Sequence, residues 1–279
     1  MKVIAAVATA YLGTIVVVVG VMTLWLWTSG HGTRPARLWR AAVLEVASAA
    51  LLEILLPLGL VWWPGWWRRP RRPGEVPVVF VHGYAQNRAD FYVLAARLAR
   101  RGRGSLFALN YWPFGPVAAS AATLARTVGA VRAVTGAPRV HLVGHSMGGL
   151  VSRHFIEQLG GESQVASLIT LASPFAGTTR IRLGLGACAA ELCPGSAYLD
   201  RLGPPAARRG VRYHSLWSRA DALVVPPSSA SLLGTGPEHV LDDAGHLTVL
   251  TSSASARVVA GWLADETGAL DGDAQLVSP

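Results

Sequence analysis

The chain has 279 residues, 51% of them apolar, enough for one large domain or two small ones with a sizeable core. Its net charge of +9 is lopsided: residues 1–74 hold eight cationic against two acidic side chains, a local +6, and residues 75–279 hold the remaining +3. A nucleic-acid binder carries its basic cluster on the folded domain; here the excess flanks apolar stretches and suits anionic lipid headgroups, so no nucleic-acid partner is expected.

Val3 to Trp27 is 25 residues without a charge. As a helix at about 1.5 Å per residue it exceeds the ~30 Å hydrocarbon core of a bilayer. Lys2 precedes it, and Trp25 and Trp27 stand where an interfacial aromatic belt belongs. A cleaved signal peptide has an apolar region of only about 7–15 residues with a small-residue site after it. Ala8-Thr9-Ala10 lies mid-segment, so the stretch reads as an uncleaved membrane anchor.

A second apolar stretch, 41–67, is interrupted by Glu45, Glu53, Pro57 and Pro64. Intramembrane carboxylates are costly unless they face a partner or water, and these two fall within about 80° of each other on a helix. Three arrangements stay open: a second span packed on the first, which is preferred, an interfacial helix, or a helix docked on the catalytic domain. Residues 68–74, with Arg68, Arg69, Arg71 and Arg72 among prolines, form a stiff charged linker. Residues 1–74 are thus the expected anchor region and 75–279 the expected catalytic domain. With two spans the arginines place that domain in the cytoplasm. Cys188 and Cys193 read either as two free thiols or as a local disulfide, and a disulfide would require the opposite side. Their spacing, without further Cys or His, does not suit a zinc site, and no metal or cofactor is expected.

From residue 76 short apolar runs alternate with helical periodicity, the pattern of a mostly parallel sheet with flanking helices, an α/β fold. Strands are expected at 76–81, 106–109, 140–143, 165–171, 211–217 and 238–241. Helices are expected at 89–101, 118–134, 150–159 and 254–263, and the tail from Thr267 reads as frayed.

The third strand runs directly into Gly144-His145-Ser146-Met147-Gly148-Gly149. A G-x-S-x-G between strand and helix is the setting of a nucleophile elbow, where glycines let strand and helix approach without Cβ clashes. Ser146 is the expected nucleophile. A serine hydroxyl needs an imidazole to take its proton and a carboxylate to orient that imidazole, in the chain order Ser, Asp or Glu, His. His246 follows the last strand in the loop Asp242-Asp243-Ala244-Gly245 and is preferred over His239, inside that strand, and His214, which precedes the acid. Asp221 follows the fifth strand and precedes an apolar run able to bury it. Asp242 and Asp243 read as solvated, and Asp200 as a helix-surface residue. Val81-His82-Gly83-Tyr84 closes the first strand, so the backbone N–H groups of Tyr84 and Met147 are the expected oxyanion donors.

These motifs resemble the bacterial triacylglycerol lipase and esterase branch of the α/β-hydrolase superfamily over residues 76–263. The likeness rests on His82-Gly83-Tyr84, the run from Val140 to Gly149, Leu171 to Thr178, Pro194-Gly195-Ser196, Ser218-Arg219-Ala220-Asp221 and Gly245-His246-Leu247. It implies an α/β-hydrolase fold, Ser146, Asp221 and His246 as the triad, and Tyr84 and Met147 as the oxyanion hole. The implied activity is cleavage of an acyl or lipid ester through an acyl-enzyme; the two N-terminal apolar stretches are not part of the secreted lipase pattern, and they place the expected enzyme on a bacterial cell membrane. The segment 179–210, where a cap would form, is short, and Ser173–Phe175 with the region around 183–199 should line an acyl groove. Acyl transfer or thioester cleavage with the same residues stays open, as does a non-catalytic membrane interaction module.

Overall fold

The computed structural model describes residues 35–61, 75–206 and 210–273; the expected span 3–27 and the linker 68–74 lie outside them. Helix α1 (Pro35–Leu55) leads through a 3-10 turn, Leu56–Gly59, and precedes an alternation of strands and helices. These are β1 (Val78–Val81), α2 (Tyr92–Arg100), β2 (Leu106–Ala108), α3 (Val117–Thr135), β3 (Val140–His145), α4 (Met147–Gln158) and β4 (Val165–Leu171). A connecting segment carries the short helices α5 (Ala187–Glu191) and α6 (Ala197–Leu202), and β5 (Arg212–Ser218), β6 (Glu238–Leu241), α7 (Thr248–Thr251) and α8 (Ser253–Asp273) close the fold.

The six strands form one sheet in the order β2-β1-β3-β4-β5-β6, every pair parallel. Residues of β1, β3 and β4 are buried on both faces, which is why they read as continuous apolar runs and not as alternation. Leu124, Val128, Leu150 and Phe155 of α3 and α4 fill one face of the sheet; Leu94, Leu98, Val259 and Leu263 of α2 and α8 fill the other. The chain runs from β1 outward to β2, then crosses back to place β3 on the other side of β1. Ligand sites in open parallel sheets lie at such a switch, outside the carboxyl ends of the strands.

Element boundaries shift from the expected ones for local reasons. Strand β1 starts at Val78 because Pro77 has no amide to donate, while its carbonyl accepts from His141 N at 2.8 Å. Helix α3 ends on Gly136 in the left-handed conformation, φ 66°. Helix α8 continues to Asp273, past the point where fraying is expected.

Of the three arrangements open for the second apolar stretch, the structure has the helix docked on the α/β fold; by length and composition Trp39–Gly59 is also able to cross a membrane. Ala49 and Leu52 of α1 join the core beneath α2 and α8, and Glu45 and Ser48 face α7. Beyond the helix, Asn87 Nδ2 donates to Leu56 O at 2.9 Å, Asn110 Nδ2 to Gly59 O at 2.8 Å and Tyr92 Oη to Leu58 O at 3.2 Å. Carbonyls that a helix end leaves without partners are therefore satisfied by side chains of the α/β fold. The outward face carries Val43, Leu51, Ile54 and Leu58, all exposed. Glu45 and Ser48 thus point inward beside Ala49 and Leu52 while a second apolar stripe faces outward, unlike an ordinary surface helix.

Cys188 and Cys193 are both free thiols, against the disulfide reading. The first is turned to Pro113 O at 3.4 Å and the second to Ala189 O at 3.5 Å, so the sulfurs address different partners. Burial pushes the Cys188 thiol up to about 11.

Candidate active site

Ser146 sits between β3 and α4 with φ 51° and ψ −125°, a conformation that costs a non-glycine residue strain. It occupies the N-cap position of α4, where a serine side chain ordinarily bonds the helix's first amides, yet its hydroxyl makes no such bond. The hydroxyl is left for the cavity it lines. The turn depends on close backbone contact: a Cβ on Gly148 would stand 2.0 Å from Val81 O, and one on Gly144 2.7 Å from Gly148 C. Helix α4 could not start against β1 and β3 with larger residues there.

Asp221 and His246 come from the loops that follow the adjacent parallel strands β5 and β6. Asp221, buried, accepts on Oδ1 from the amides of Leu223 and Val224, each at 2.8 Å. Its Oδ2 lies 2.8 Å from His246 Nδ1. A carboxylate there selects the tautomer with the proton on Nδ1, leaving Nε2 as the basic nitrogen. Burial opposes a charged imidazole at 246, but the field and hydrogen bond of Asp221, joined by the field of Glu45, outweigh it and hold the group above its usual range. His246 and Ser146 line the same cavity.

The rival residues are elsewhere. His239 is exposed on the edge strand β6. His214, in β5, packs its ring 4.9 Å from Trp262. Asp242 and Asp243 form surface ion pairs with Arg219, at 2.7 Å, and Arg40, at 3.2 Å. Asp200 lies exposed on α6.

Tyr84 follows β1 beside the serine: a Cβ on Gly83 would come within 2.9 Å of Ser146 Cβ. Ala85 holds a left-handed φ of 55°, which turns the chain sharply there. Gln86 Oε1 accepts from Gly83 N at 2.9 Å and is 2.9 Å from His145 Nδ1. His145 Nε2 in turn is 3.1 Å from His246 O, so one side-chain chain ties the loop after β1 to the loop bearing His246. Met147 N is the first amide of α4. Among the described residues neither Tyr84 N nor Met147 N has an acceptor. His82 stacks on Tyr111, ring centroids 4.0 Å apart, and burial pushes it down to about 4, a neutral structural role.

The alpha/beta hydrolase fold family matches residues 76–187, which hold Ser146, Tyr84 and Met147. Over that stretch the chain matches the α/β-hydrolase family, and its six-stranded parallel sheet with flanking helices is the α/β-hydrolase fold. The mature form of a Bacillus licheniformis lipase superposes with a TM-score of 0.60 at 17% identity, over 70% of this chain and 95% of that one. Aspergillus fumigatus lipase B gives 0.60 at 17%, over 73% of this chain and 55% of its own. A Paleococcus ferrophilus monoacylglycerol lipase gives 0.53 at 16%, over 69% and 96%.

The cavity at Ser146 has a volume of about 490 Å³. Ile181, Leu185 and Leu192 from the short cap, Leu223 and Val224 after β5, and Ala49, Leu52 and Leu56 from the α1 region make its walls mostly apolar. Pro174 reaches it as expected, but Phe175 faces a separate hollow beside Gly203 and Pro204. The α1 wall is the part that sequence reasoning missed. Two carboxyls also line the cavity, Glu53 and Asp90. Burial, with Glu53 nearby, pushes Asp90 up to about 8, so it is mainly neutral at pH 7.

Proposed function

We propose that the protein is a membrane-anchored serine esterase or lipase that cleaves acyl esters. Ser146 is the nucleophile, His246 the base that takes its proton and later gives it to the leaving alcohol, and Asp221 the carboxylate that orients the imidazole. The amides of Tyr84 and Met147 stabilise the oxyanion of each tetrahedral intermediate, and a single such donor is worth roughly 3 kcal/mol of barrier. The acyl group passes to Ser146 Oγ, the alcohol leaves, and water releases the acid. The observation that carries this reading is the 2.8 Å contact of His246 Nδ1 with a buried Asp221, in one cavity with a serine held at φ 51°.

The apolar walls favour an acyl chain over a charged or peptide substrate. The uncharged stretch 3–27 tethers the enzyme, and the outward apolar face of α1 lies against the lipid. The test is a chain-length series of p-nitrophenyl esters on the full chain in detergent. Hydrolysis should favour medium or long acyl chains over acetate and vanish in Ser146→Ala. Undiminished turnover in that variant, or a preference for acetate, would overturn the reading.

A further inference from the structure

The apolar helix α1 has a polar inner edge aimed at the loop that bears the imidazole. Glu45, 2% exposed, accepts from Leu247 N at 2.8 Å with Oε1, and from Thr248 N at 2.9 Å and Thr248 Oγ1 at 2.8 Å with Oε2. These are the residues immediately after His246, two hundred positions along the chain from Glu45. Gly245, on the other side of His246, admits this approach: a Cβ there would lie 2.3 Å from Glu45 Oε2. Ser48 Oγ continues the contact, 3.5 Å from Thr248 Oγ1 and 2.6 Å from Thr251 Oγ1. Burial holds the Glu45 carboxyl above its ordinary range, and the three donors that converge on it, with the field of His246, pull it back towards the ionised form.

We propose that Glu45 is a positioning residue for the base: through Leu247 and Thr248 it fixes the His246 loop, and its charge stabilises the imidazolium that forms during turnover. The inference rests on the reading of His246 as base. It makes α1 a part of the active site and not merely a tether. The domain from residue 75 onward, without α1, lacks both one wall of the acyl cavity and the group that holds the His246 loop.

The charged and titratable groups around His246 are few. Asp221 meets Nδ1, Glu45 faces it from α1, and His145 packs its ring 4.7 Å away from the end of β3, with His82 beyond it. His145, deeply buried, stays neutral. Loss of Glu45 therefore removes one of two favourable charges and lowers the His246 pKa. The acid limb of kcat/KM then moves to lower pH, while kcat falls because the imidazolium and its loop are less well held.

The test uses the full chain in detergent with Glu45→Gln, Glu45→Asp and Ser48→Ala. Glu45→Gln keeps the size but not the charge, and should cost about tenfold or more in kcat with little change in KM, with the acid limb displaced downward. Glu45→Asp retains the charge and should keep the limb near its wild-type position with an intermediate kcat. It also decides the matter if the glutamine variant does not fold. Ser48→Ala loosens the same helix without changing a charge and should leave the limb in place. Wild-type kcat and pH profile in both Glu45 variants, alongside inactive Ser146→Ala and His246→Ala, would overturn this inference alone. Activity surviving in Ser146→Ala and His246→Ala would overturn the reading beneath it. An equal shift of the limb in Ser48→Ala would reduce Glu45 to a docking contact and also overturn the inference.

Discussion

Arg153 is the largest fully buried side chain described, and it stands on α4, the helix that begins at the nucleophile. Its Nε and Nη2 meet Glu157 at 2.9 and 3.0 Å, and Nη2 donates to Pro204 O at 3.0 Å and Gly203 O at 3.3 Å. Phe175 lies under the guanidinium, 5.5 Å from ring centroid to Cζ. The pair thus locks the carboxyl end of the cap helix α6 onto α4. Arg153→Ala would take from the buried Glu157 carboxylate its bidentate cation, while Tyr213 Oη, at 3.1 Å, stays as a donor. Breaking a buried pair from one side costs about 3–5 kcal/mol. At about 2–4 °C per kcal/mol for a domain of this size, the melting midpoint in detergent should fall by about 6–20 °C. The double replacement Arg153→Met with Glu157→Leu, which removes both charges, should recover most of that loss. Thermal unfolding of the three proteins decides: a loss under about 1 kcal/mol for the single variant, or a double variant no better than it, would refute the argument.

Two further outcomes follow from the site. Asp90 is raised in the folded chain, so the native state holds a proton that the unfolded chain releases near pH 4; stability should decline as pH climbs from about 4 to 8 and level off above that. Asp90→Asn should therefore flatten this decline and be the more stable protein at pH 9, by a few kcal/mol at most, as read by denaturant unfolding across pH; parallel profiles would contradict the assignment. His246→Ala should cost several orders of magnitude in ester turnover, whereas His239→Ala, on an exposed edge position, should stay within about twofold of wild type.

Much of the fold and site was legible because it is local in sequence. Continuous valine and leucine runs mark strands buried on two faces, and Gly144, Gly148 and Ser146 are adjacent, so the strand-turn-helix could be read directly. The pairing of His246 with Asp221 was legible from chain order and strand-end placement, not from any local signal. The role of α1 was not legible, because it depends on a contact between positions 45 and 248. A carboxylate within an apolar helix signals only that a partner is needed; the partners here are backbone amides, which no composition or spacing reveals. The same limit hid Arg153, whose acceptors are mostly carbonyls of a distant loop. Phe175 was misplaced because adjacent residues of an irregular loop can face different cavities, as Pro174 and Phe175 do.

Treatment of the full chain with a fluorophosphonate, followed by peptide mass spectrometry, tests the central claim most directly. One adduct is expected, on the peptide containing Ser146, formed quickly in the wild-type protein and at least about 100-fold more slowly in His246→Ala. An adduct on another serine, or equal labelling rates in the two proteins, would contradict the account.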